Sequence, residues 1–130
     1  MILLDTHVAI WLLLTPERLS LPAVEAIRRA ELSATHPAVS VITFFEIANA
    51  IRRGRLQIME PDLIFMKRVQ SRFRSFPVSA AIAIRAAELG DSFPGDPMDR
   101  MIAATAAAEN CTLLTADRRI LTAGVCKTLW

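Results

Sequence analysis

No stretch of this sequence is both long enough and apolar enough to cross a lipid bilayer. The longest uninterrupted apolar run, Val8 to Leu14, has seven residues, against about 20 for a spanning helix. The opening Met-Ile-Leu-Leu-Asp lacks a basic leader and sets an acid at position 5, so the chain is expected to stay in the cytoplasm. Cysteine is scarce. Cys111 and Cys126 are too few for a disulfide framework and have no metal-ligand spacing, and both are expected as free thiols in a reducing compartment. The chain has no Gly-rich phosphate loop and no Ser-His-Asp arrangement. Nor does one sign of charge dominate: 15 Lys and Arg against 13 Asp and Glu leave +2, too little by itself to imply a nucleic-acid partner.

What is present is the makeup of one globular domain, read as residues 1–130. Hydrophobic residues at 53% and charged residues at 22% exclude intrinsic disorder. A chain of this length buries roughly two-thirds of its unfolded surface. Thirteen of the cations are Arg, whose forked guanidinium matches phosphate and carboxylate better than an ammonium does; Arg-favouring codon usage is the plain alternative.

Strands and helices alternate along the chain. Ile2-Leu3-Leu4 reads as a strand ending at Asp5, with Thr6 capping a helix from His7 to Leu14 that Pro16 stops. Ser20-Leu21-Pro22 starts a second helix with Val24, Ile27 and Ala30 on one stripe. Ala38 to Ile42 reads as a strand, and Thr43 opens a helix to about Arg53, closed by Gly54. Pro61 opens a helix carrying Leu63, Phe65, Met66, Val69 and Phe73. Pro77-Val78 is expected as a short extended piece before a helix over 80–89. The turn-dense segment 91–97 reads as a loop, followed by a small-residue helix from Met98 to Asn110. A strand over 112–115, a short helix over 117–121 and a strand over 125–129 complete the chain. This order implies an α/β three-layer sandwich: a central parallel sheet of four to five strands with helices on both faces.

Four acids share one kind of position. Asp5 and Asp117 each follow a strand, Asp99 lies in a first helical turn, and Glu46 sits one turn into the helix after the second strand. In an open parallel sheet ligands bind outside the carboxyl ends of the strands, so these carboxylates can converge. Like charges brought together raise one another's pKa values, and a hard divalent cation with oxygen ligands stabilises such a group. Helix capping explains Asp99 and Asp117 on their own. It does not explain Glu46, set among Phe44, Phe45 and Ile47, where a buried unpaired carboxylate costs several kcal/mol.

The segments around these acids resemble the PIN domain family. Ile2-Leu3-Leu4-Asp5-Thr6 resembles its opening strand. The run Ser40 to Ile47 resembles its strand-to-helix segment with an embedded glutamate. The run Asp96-Pro97-Met98-Asp99-Arg100, with its Ala-rich helix, is similar to the family's most telling block. Leu113-Leu114-Thr115-Ala116-Asp117 resembles the last. Length and the Asp5-Thr6-His7 opening look most like VapC-type toxins of bacterial toxin–antitoxin modules. The resemblance implies a PIN-like, Rossmann-like fold and a Mg²⁺- or Mn²⁺-dependent ribonuclease that cuts structured RNA. It also implies a cognate antitoxin held in an apolar groove, with a homodimer or toxin–antitoxin hetero-oligomer as the assembly. By motif position Asp5 and Asp99 are the expected direct metal ligands. Glu46 binds metal or orients the attacking water, and Asp117 supports a second metal or an ordered water. Thr6 and Thr115 hydrogen-bond within the cluster, and Asp96 either joins it or caps its helix. Arg100 faces RNA phosphate or pairs with an acid, and His7 either touches substrate or makes local hydrogen bonds. Arg52, Arg53 and Arg55, and likewise Lys67, Arg68, Arg72 and Arg74, form either phosphate-binding faces or solvated helix faces. Trp11 to Leu14, with Phe44, Phe45, Phe65 and Phe73, offer more apolar surface than one buried helix face can use; much of it is expected as core, and the excess as an antitoxin groove or a dimer interface.

Other readings fit less well. A haloacid-dehalogenase-like phosphatase needs an acid where His7 stands. A response-regulator receiver needs an acidic pair near the first strand and a phosphoacceptor Asp after the third. A catalytically silent PIN-fold module that binds RNA or protein is the remaining alternative.

Overall fold

The computed structural model describes residues 1–33 and 35–130. Five parallel strands form one sheet: β1 (Ile2–Leu4), β2 (Ala38–Ser40), β3 (Arg74–Phe76), β4 (Thr112–Leu114) and β5 (Thr128–Leu129). Their spatial order is β3-β2-β1-β4-β5. Leu3 pairs with Leu113 and with Ala38, and Leu4 with Leu114. Side chains alternate across a strand, and here both faces are buried. Leu4, Val39 and Leu114 belong to one apolar cluster, while Leu3, Ala38 and Leu113 belong to another. That doubly buried sheet is the middle layer of three, as parallel sheets require.

Helices α1 (Thr6–Leu14), α2 (Leu21–Leu32), α3 (Val41–Arg52) and α4 (Asp62–Arg72) cover the first face, through Val8, Ile27, Ile47, Phe65 and Val69. Helices α6 (Pro97–Ala108) and α7 (Arg118–Ala123) cover the second, through Ile102, Ala106 and Ile120. Helix α5 (Ala80–Glu88) lies outside α6, where Ile82 and Ala86 meet Ala104. The alanines of α6 allow this close double packing.

Several boundaries differ from expectation for local reasons. Strand β2 ends at Ser40, not Ile42, because the Ser40 hydroxyl accepts the Ile42 N–H (3.3 Å) and starts α3 there. The extended piece expected at Pro77-Val78 lies at Arg74–Phe76, since Pro77 has no N–H to give a ladder. The cap of α1 is Asp5, not Thr6, and its carboxylate makes no capping bond. Val24 is exposed; Ala23, Ala26, Ile27 and Ala30 make the buried stripe of α2. Helix α6 ends at Ala108, and α7 extends to Ala123, closed by Gly124 at φ 68°. Strand β5 is confined to Thr128–Leu129, because Val125 and Cys126 pack against the second core instead of joining the ladder. Cys111 and Cys126 are free thiols. Among the described residues no helix is long and apolar enough to cross a membrane.

Candidate functional site

Chain direction across the sheet reverses between β1 and β4: the chain leaves β1 toward β2 and β3, then crosses back to β4 and β5. The crevice at such a switch point is where open α/β sheets bind ligands. Asp5 stands at the end of β1 and Thr115 at the end of β4. The Asp5 N–H donates to Leu114 O at 3.0 Å, and the Thr115 hydroxyl donates to Asp5 Oδ2 at 2.7 Å. Thr115 Oγ1 in turn accepts the Asp117 N–H at 3.1 Å. The two strand ends are thus tied through side chains.

Helix α3 brings the third acid. Thr6 Oγ1 hydrogen-bonds the Glu46 carboxylate and Thr43 Oγ1, the latter at 3.1 Å. Glu46 is half-buried; of the apolar neighbours read from the sequence Ile47 is buried and Phe45 is 58% exposed, and the carboxylate is not unpaired, because Thr6 hydrogen-bonds it. Thr43, fully buried, was not anticipated as part of this network. Its signal was the spacing of three residues to Glu46, which places both on one helix face.

Helix α6 brings Asp96 and Asp99. Asp96 Oδ1 accepts the N–H groups of Met98 (2.8 Å) and Asp99 (3.4 Å), so this carboxylate is the helix cap. Asp99, in the first turn, has its pKa pushed up to about 7. Burial is the main cause, and the charges of Asp5, Asp96, Glu46 and Asp117 add to it. Asp5 and Glu46 are also raised, chiefly by burial, against the opposing pull of their Thr115 and Thr6 hydrogen bonds and of the nearby His7. Asp117 is lowered, because Arg119 hydrogen-bonds it from the same helical turn. Asp99 thus feels the charges of Asp5, Glu46 and Asp117, Glu46 that of Asp5, and Asp5 that of Asp117. Among the described residues no three acids close into a finished ligand cage. A magnesium-type ion needs only one or two carboxylates, with water completing its shell. The donors offered here are carboxylate oxygens, and the neighbouring negative charges that raise Asp99 are of the kind a cation relieves, so the residues fit a hard divalent cation.

Arg100 neither faces the crevice nor pairs with an acid. Its guanidinium donates to the carbonyl oxygens of Pro94 (3.0 Å), Gly90 (3.3 Å), Phe93 (3.4 Å) and Leu89. His7 is exposed and lines a cleft of about 750 Å³ that runs from Glu46 and Asp96 between α1 and α3. Ile10, Trp11, Leu14, Phe45 and Leu56 give the cleft apolar walls, with Arg18, Arg53 and Arg55 along it. Of the second basic run, Arg68 pairs with Glu60 and Arg72 with Glu31.

The PIN domain family profile matches residues 2–125. Ribonuclease VapC22 of Mycobacterium tuberculosis is 39% identical over 119 residues, covering 92% of this chain and 88% of that protein. The DNA-bound VapBC of Salmonella typhimurium superposes with a TM-score of 0.73 at 19% identity, over 99% of this chain and 98% of that one. VapBC2 of Rickettsia felis, bound to a promoter DNA fragment, gives 0.72 at 20% identity over the same shares of the two chains, 99% and 98%. At those identities the two superpositions speak for the fold alone.

Proposed function

Because this chain belongs to the PIN domain family, we propose that residues 1–130 are one PIN domain acting as a metal-dependent endoribonuclease, the toxin of a toxin–antitoxin pair. The observation that carries the reading is the meeting of Asp5 and Glu46 at the switch-point crevice, held by the Thr115 and Thr6 hydroxyls, beside an Asp99 raised by burial and by their charges. The 39% identity to a ribonuclease supports the substrate class. Asp5 and Asp99 would hold Mg²⁺ or Mn²⁺. Glu46 binds the ion or orients the attacking water, and Asp117 supports a second ion or an ordered water. When bound, the ion supplies an activated water and neutralises phosphate charge, so no protein nucleophile is needed. Thr115 and Thr6 fix the carboxylates of Asp5 and Glu46 in rotation, which sets the direction of their lone pairs. His7, Arg53 and Arg55 line the approach along which RNA phosphates would lie. The half-buried, apolar α1 face and Phe45 supply the surface for a cognate antitoxin segment, within a homodimer or toxin–antitoxin hetero-oligomer.

The test is cleavage of total cellular RNA by purified, antitoxin-free protein with Mg²⁺ or Mn²⁺, beside EDTA and Asp5→Asn. Cutting should require the metal and disappear in Asp5→Asn. Cutting that survives both controls overturns the mechanism. No cutting of any RNA replaces this reading with the catalytically silent, binding-only module.

A further inference from the structure

Asp117 carries a partner that the ribonuclease reading leaves without a role. Its Oδ1 accepts the Arg119 backbone N–H at 2.8 Å and the Arg119 Nε–H at 3.1 Å, and its Oδ2 accepts Arg119 Nη2–H at 2.6 Å. Both oxygens are taken by one residue two positions away. Arg119 itself is well exposed, with its side chain 68% accessible, and its guanidinium also lies within the fields of Asp99 and Asp96. Its guanidinium is thus held on Asp117, at the exposed edge of the acidic group.

We propose that Arg119 is the resident cation at the Asp117 end of the cluster, so that the site loads one divalent ion and not two. The inference rests on the preceding reading in taking Asp5, Glu46 and Asp99 as the place of that ion. Two physical effects favour it. A second ion at Asp117 would have to displace the guanidinium from both carboxylate oxygens. And Arg119 is tethered on the same helical turn, so its effective concentration at Asp117 is high without any loop to close. Its forked, permanently charged head suits two-point binding of a carboxylate.

The experiment counts bound Mn²⁺ by electron paramagnetic resonance of the free ion during titration of the whole protein at neutral pH. Wild type should bind one Mn²⁺ per chain. Arg119→Ala and Arg119→Gln should each gain a second site, lost again when Asp117→Asn is combined with Arg119→Ala. Two ions on wild type, or a single ion on both Arg119 variants, overturns the role of Arg119 and leaves the ribonuclease reading standing. No ion on wild type overturns the metal site itself, and Arg119's role with it; a first ion that survives Asp5→Asn likewise refutes the placement.

Discussion

Thr115 gives its hydroxyl proton to Asp5 and takes the Asp117 N–H, so one neutral side chain orients acids from two strands. Replacing it with the isosteric valine leaves Asp5 buried without the one side-chain donor it has among the described residues. Thr115→Val should lower metal affinity and cleavage by about 10–100-fold, as removal of such outer partners does elsewhere; titration calorimetry and a cleavage assay check both. The pH dependence follows from Asp99. Its folded pKa, about 7, lies above the value of 3.8 for an unperturbed Asp. Between those values the folded protein binds more protons than the unfolded chain, so stability falls as pH rises through that window. Asp5 and Glu46 act in the same direction. Asp117 is shifted downward and acts only below the window, where its stabilising contribution is lost with acid. In EDTA, the melting temperature should therefore drop from pH 4.5 to 7.5. Asp99→Asn should flatten the slope, and Mg²⁺ should raise the melting point more at pH 7.5 than at 4.5. A flat profile in wild type would contradict the raised Asp99. The positions of the four acids relative to strands and helices were readable in the sequence because strand ends and first helical turns have local signatures. The roles of Arg100 and Arg119 were not. A guanidinium's partners depend on where carbonyls of a distant loop and a neighbouring carboxylate arrive in space.

At the scale of elements, caps decide how the site's helices begin. Asp96 accepts two backbone N–H groups at the start of α6, and α6 carries Asp99. Asp96→Ala should cost about 1 kcal/mol in urea unfolding, and Asp96→Ser, which keeps a capping oxygen, should recover most of it. If Asp96 serves only as a cap, Asp96→Ser also keeps cleavage within a few-fold of wild type. Helices α2 and α3 were legible through Ser20 and Gly54, residues whose stereochemistry acts locally, whereas Pro97, read as the end of a loop, is the first residue of α6. Short strands were less so. Three residues of β3, Arg74-Ser75-Phe76, contain no alternation long enough to read. They become a strand because β2 offers them a ladder, with Val39 opposite Ser75. The helical start at Val41 hid behind β-branched residues whose strand preference yields to the Ser40 cap.

At the scale of the whole molecule, the sheet is buried on both faces, and neighbouring residues serve different cores. Leu113 and Leu114, both fully buried, point into opposite layers. Leu113→Ala and Leu114→Ala should each destabilise the fold by about 2–5 kcal/mol. In a sheet with one wet face, one of the two would be nearly neutral, and denaturation of both variants separates these cases. The same topology has a consequence in time. Strand β1 and its central neighbour β4 are made more than a hundred residues apart, and Thr115 stands 110 positions from Asp5. Contacts so distant in sequence form late. A nascent chain stalled before β4 holds Asp5 beside no Thr115 and no Asp117. On the function proposed above, cleavage must wait until β4 and the turn that follows it have been made.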